Sequence, residues 1–167
     1  MVTRTLSRGL MSIALALFAL VAINVLLTGT PAQARVSAAP VTQIRYVATT
    51  GSDVGNNCAD SGLPCATTQR AIDIAADSDE IRIAAGTYTD LNVRPRADVT
   101  TTGVVTQIVY LSKTVTLRGG YTTTNWLVSD PANNSTVLDA QAQGRAIYVT
   151  GNISPTIEGL RLTNGNP

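Results

Sequence analysis

Hydrophobic and polar positions divide the chain into one long apolar run at residues 10–27 and, after residue 43, a series of short alternating segments separated by turn-forming residues. Ile44-Arg45-Tyr46-Val47 and Glu80-Ile81-Arg82-Ile83-Ala84 alternate with the period of two that marks a half-buried strand. The same pattern predicts strands at 107–111, 114–118, 136–139, 146–149 and 156–162. Residues 51–64 are rich in Gly, Asn, Asp and Ser and read as a loop, and Gly86-Thr87-Tyr88 and Gly119-Gly120 read as turns. One helix is predicted after the apolar run, over 68–76, with Ala71, Ile72, Ala75 and Ala76 as its apolar stripe. Thr67 or Thr68 would cap it, and Asp77-Ser78-Asp79 would end it.

Strands of this length, most of them without an Asn-Gly hairpin between them, predict an all-β fold. A weak internal repeat bears on which one. Val115-Thr116-Leu117-Arg118-Gly119 and Pro155-Thr156-Ile157-Glu158-Gly159 share their order of polar and apolar residues, with the glycines 40 residues apart. Stacked coils of a β-solenoid produce such spacing when a loop such as 121–134 is inserted. Two copies are fewer than a solenoid normally shows, so pattern alone leaves solenoid and sandwich both open.

The order of elements carries a resemblance. Tyr46-Val47, Gly51-Ser52-Asp53, then Pro64-Cys65-Ala66-Thr67-Thr68-Gln69-Arg70-Ala71-Ile72, then Asp79-Glu80-Ile81-Arg82-Ile83 and Gly86-Thr87-Tyr88 resemble the N-terminal cap of right-handed parallel β-helix proteins of the pectate-lyase-like fold. The sequence departs from that pattern at Thr68 and at Asp79-Glu80. Leu117-Arg118-Gly119-Gly120-Tyr121, Val137-Leu138-Asp139-Ala140 and residues 157–165 resemble its coils. The resemblance implies a parallel β-helix over residues 44–167 whose helix covers the open top of the stack, shielding strand edges that would template aggregation. No polar C-terminal cap follows the last strand, so the expectation is the N-terminal part of a longer protein, with the remainder of that protein as a partner.

The long apolar run changes the compartment. Arg4 and Arg8 precede it, and Pro31-Ala32-Gln33-Ala34 follows it with small residues where signal peptidase needs them. The segment 1–34 therefore reads as a secretory signal cleaved before Arg35, and 35–43 as a disordered leader. Eighteen apolar residues nearly span a bilayer, but Asn24 inside the run and the Ala-x-Ala box favour cleavage, leaving no membrane span in the mature chain. In an exported chain, Cys58 and Cys65 are expected to form a local disulfide. Two thiols alone do not complete a zinc site.

Composition narrows the chemistry further. The chain has no histidine, which excludes Ser–His–Asp and Cys–His catalysis. Twelve basic and 11 acidic residues leave a net charge of +1, without the basic footprint that nucleic acid requires. Two function classes remain. One is a secreted or cell-surface scaffold, non-catalytic, that binds glycan or a surface partner. The other is the N-terminal part of a polysaccharide lyase or glycoside hydrolase with its catalytic residues beyond residue 167. Asp139, Glu158 and Arg161 read as isolated outer-face residues, no paired carboxylates are visible on the strands, and no catalytic residue is assigned. Tyr121 and Trp126 are the candidate ligand contacts, aromatic faces suited to sugar rings. Asp53, Asn56, Asn57 and Asp60 offer oxygen ligands for calcium, but their spacing fits Asx turns better, and no cofactor is expected.

Overall fold

The computed structural model describes residues 42–96 and 103–166. Every described residue belongs to one compact unit, Ala39–Pro167. The segment read as a signal peptide (1–34), with its expected cleavage site, and most of the expected leader lie outside the described residues. Gln43, assigned to the leader, belongs to the fold: its N–H donates to Asp79 and its carbonyl accepts from Glu80 N.

The fold is mostly strand, with one short helix. In chain order it comprises β1 (Ile44–Val47), α1 (Thr68–Ile74), β2 (Glu80–Ala84), β3 (Gly86–Tyr88), β4 (Asn92–Pro95), β5 (Val104–Leu111), β6 (Thr116–Tyr121), β7 (Thr136–Asp139), β8 (Arg145–Val149), β9 (Thr156–Glu158) and β10 (Leu160–Thr163). These strands form three sheets, ordered β1-β2-β6-β9, β10-β7-β3 and β4-β5-β8. All pairings are parallel except β4 with β5. From β2 onward the chain passes from the first sheet to the second to the third and back, with β4 and β5 both in the third, and each return adds a strand beside the previous one. In the first sheet, residue 44 pairs with 80, 80 with 116 and 116 with 156, steps of 36, 36 and 40 residues. Among the described residues no helix is long and apolar enough to cross a membrane.

The core is built from columns of like residues. Ile81, Leu117 and Ile157 are register partners in the first sheet, Tyr88, Leu138 and Leu162 in the second, and Leu111 and Val149 in the third. Each column is buried until its last member: Leu117 is 0% exposed and Ile157 39%. Burial of one such aliphatic side chain contributes about 1.5–3 kcal/mol, so these columns supply most of the cohesion between successive strands.

Helix α1 packs against β1, β2 and β5. Thr67 caps it by accepting from Arg70 N, and the Lys113 ammonium donates to the carbonyls of Ile72, Asp73 and Ala75 at its C-terminal end. Ala71, Ile72 and Ala75 are buried as expected, but Ala76 is exposed, because the backbone is already extended at Ala75. Cys58 and Cys65 form the disulfide, with Cα atoms 5.1 Å apart, and both lie in the main apolar cluster.

Two expected turns are strands. Gly86-Thr87-Tyr88 forms β3, which follows β2 after a corner at Ala85; Gly86, at φ +152°, allows that corner, and the Tyr88 ring turns inward. Gly119 and Gly120 lie inside β6, where glycine is needed for close approach. A Cβ on Gly119 would stand 2.3 Å from the carbonyl oxygen of Gly159, at the break just after β9. The predicted strand 156–162 breaks at Gly159, φ +65°, into β9 and β10. Strand β4 was not expected, since Pro95 and an apolar pattern too short to read argue against a strand. It forms as an antiparallel edge whose Asn92 bonds to Gln107 and to the Ile108 carbonyl.

Candidate functional site

Parallel register brings together residues that are far apart in the chain. On the outer face of the first sheet, Arg82 pairs with Arg118 and Arg118 with Glu158, while Glu80 shares that face two residues before Arg82. Glu80 and Arg82 join through two contacts, Nε–Oε1 at 3.1 Å and Nη2–Oε2 at 3.2 Å. Arg118 donates from Nη1 to Glu80 Oε1 at 3.2 Å and from Nε to Glu158 Oε1. The Tyr121 hydroxyl donates to Glu80 Oε1 at 3.3 Å. The result is an alternating chain of charges, Arg82–Glu80–Arg118–Glu158, with no net charge of its own.

The hydrogen bond to Glu158 raises the Arg118 pKa above its ordinary value, with the Tyr121 hydroxyl adding to it. For Arg82 burial is the largest single influence and lowers the pKa, but the hydrogen bond and charge of Glu80 outweigh it, and the net direction is upward. The Arg118 and Glu158 side chains are 37% and 44% exposed, so solvent screening leaves their pair worth at most about 1 kcal/mol. Its role is geometric, holding both heads in place over the sheet.

The insertion between β6 and β7 stands beside this ladder. Arg118, Tyr121, Leu127, Ser129, Pro131, Glu158 and Gly159 line an open cleft of about 340 Å³. Leu127 is 86% exposed, while the Ser129 hydroxyl donates to the Gly119 carbonyl at 2.6 Å and ties the loop to β6. Two further cavities lie beside α1 and within the loop at 51–64. The polar groups there are largely engaged with neighbouring protein. Asp53 accepts from Ala66 N, Thr67 N and the Thr67 hydroxyl, and Asp73 holds Arg94. Asn56, Asn57 and Asp60 bond to backbone of their own loop, as Asx turns do.

Each candidate from the sequence has a definite place. Tyr121 lines the cleft but is only 2% exposed, and Trp126, 7% exposed, is packed beneath the loop. The Trp126 ring meets Tyr46 edge-on at 5.0 Å and Tyr121 at 6.2 Å, so its face is filled by protein. Arg82 lies over the Tyr121 ring, 5.4 Å from its centroid. Glu158, expected to be isolated, is ion-paired, because register sets it beside Arg118. Asp139 accepts from Gln141 N and from the Asn164 amide, which lower its pKa in that order of effect. Arg161 is exposed on β10, outside the cleft lining. The cluster of Glu80, Arg82 and Arg118 was not anticipated. Its one trace in the sequence is the repeat itself, which aligns Arg118 before Gly119 with Glu158 before Gly159.

Comparison of the chain with protein families, with curated proteins and with solved structures finds no match.

Proposed function

We propose that this chain is an exported right-handed parallel β-helix that acts as a non-catalytic glycan-binding scaffold, with the cleft at Arg118 as its contact surface. Return to the first sheet in steps of 36 to 40 residues, with parallel pairing everywhere but β4–β5, supports the solenoid, and α1 docked over β1 and β2 supports its role as the N-terminal cap. A right-handed path is the hand that parallel crossover connections adopt. The small-residue box ending at Ala34 supports export.

One observation carries the functional reading: an open cleft whose charged groups are locked to one another. Glu80 and Glu158 both stand beside Arg118, which raises a hydrolase as the second reading. Glycosidases need one carboxyl group as proton donor and the other as base or nucleophile. Here each carboxylate is an acceptor clasped by the same guanidinium, an arrangement suited to recognition. The test is to pass the mature chain, beginning at Arg35, over immobilised dextran, mannan, polygalacturonate and alginate, and to assay the eluate for cleavage. Retention without new reducing ends or unsaturated products is expected. Cleavage products above a buffer control would overturn the non-catalytic reading, and failure to bind any of the four would overturn glycan binding.

A further inference from the structure

The donors and acceptors left over in the cleft define the ligand it fits. Ser129 spends its single proton on the Gly119 carbonyl, so toward the cleft its hydroxyl can only accept. Glu158 binds Arg118 through Oε1, and its side chain is 44% exposed, leaving Oε2 as a second acceptor. Arg118 is the donor. Its hydrogen-bonded partners are Glu80 and Glu158, fewer than its N–H groups can serve. The cleft therefore offers one cationic donor between acceptors, and beside it the apolar surface of Leu127 and Pro131.

Taking the cleft as the ligand site, we propose that its ligand is a neutral glycan recognised through adjacent ring hydroxyls. One hydroxyl accepts from Arg118, its neighbour donates to Glu158 Oε2, and a further hydroxyl donates to Ser129. The C–H face of the ring lies on Leu127. A uronate ring carries adjacent hydroxyls too, but adds a carboxylate that only accepts and sets its charge against both Glu80 and Glu158. The ladder has already neutralised Arg118, so no surplus positive charge compensates. Hydroxyls, which donate and accept at once, meet all three groups.

Binding to dextran, to dextran oxidised with periodate and then reduced, and to polygalacturonate separates the possibilities. Periodate cleaves the bond between adjacent hydroxyl carbons and so removes the recognised pair while leaving a neutral polymer. The expected result is retention on dextran, loss on the oxidised and reduced polymer, and none on polygalacturonate. Arg118→Met and Glu158→Gln each remove a hydrogen bond to a charged group and should weaken dextran binding roughly tenfold or more. Leu127→Ser, at an exposed position that does not bear on folding, should weaken it as well. Arg161→Met, outside the cleft, should leave it unchanged. Stronger binding to polygalacturonate than to dextran, or dextran binding that survives periodate, overturns the neutral adjacent-hydroxyl assignment while leaving glycan binding intact. Binding to no polymer instead overturns the scaffold reading on which the assignment rests.

Discussion

Truncating the aliphatic column of the first sheet one member at a time tests the stacked core. Leu117→Ala removes a side chain that is 0% exposed and has Ile81 and Ile157 as register partners on either side. Loss of transfer energy plus the cavity left behind places its cost at about 3 kcal/mol, within the range for buried Leu→Ala. Ile157→Ala removes a comparable group from the end of the same column, where 39% of the residue remains exposed. With about three fifths of the burial to lose and an open side that relaxes, its cost should be roughly 1–1.5 kcal/mol. Urea titration followed by circular dichroism reads both, with midpoints shifting in that order and slopes unchanged. In a domain of this size about 1 kcal/mol moves the melting temperature by about 4 °C, so the two variants should separate by about 6–8 °C. Equal losses would mean that Ile157 is buried in solution as deeply as Leu117, and a loss below about 1 kcal/mol at Leu117 would refute the column.

Other perturbations probe separate parts of the account. The Tyr88 phenol is buried and donates to the Ala84 carbonyl, and burial raises its pKa. A raised pKa contributes stability that is complete below the unfolded value of about 10 and is lost as pH rises beyond it. Tyr88→Phe should therefore cost about 1 kcal/mol at neutral pH and flatten the alkaline loss of stability, measured as melting temperature between pH 7 and 12; an unchanged alkaline slope would contradict this. Replacing Cys58 and Cys65 together by Ser should cost about 2 kcal/mol, the entropy of a seven-residue closure, without altering strand content by circular dichroism. Gly119→Ala places a methyl group 2.3 Å from the Gly159 carbonyl oxygen and should cost about 1–3 kcal/mol or more, read by the same urea titration, whereas a neutral effect would mean that β6 and β9 are not in contact there.

Legibility from sequence followed the physics of each segment. Residues 44–47, 80–84 and 136–139 alternate cleanly, and each became a strand with the expected bounds. The helix start was readable because Thr67 caps it, and the disulfide because the two cysteines stand only seven residues apart. Gly86 and Gly119-Gly120 misled because glycine marks turns on average, whereas here it marks a corner and a close contact between stacked strands. Strand β4 carries no alternation to read, since side-chain amides rather than apolar burial hold it. The site was hidden for a different reason. Glu80, Arg118 and Glu158 meet only through register, and the unequal steps of 36 and 40 residues, with a loop inserted after Tyr121, conceal the repeat that aligns them.

That register is the claim on which both the fold and the cleft depend, and cross-linking measures it directly. Arg118→Cys with Glu158→Cys places two thiols on directly paired positions of adjacent parallel strands, on the same face and at a separation a disulfide can span. Arg118→Cys with Ile157→Cys shifts one thiol by a single residue, which turns it to the opposite face. After mild oxidation and non-reducing peptide mass spectrometry, the first pair should yield a cross-link between positions 118 and 158, beside the native 58–65 bridge, and the second should yield none. A cross-link in the second pair and not in the first would contradict the stacking of β9 on β6 and, with it, the assembly of the cleft.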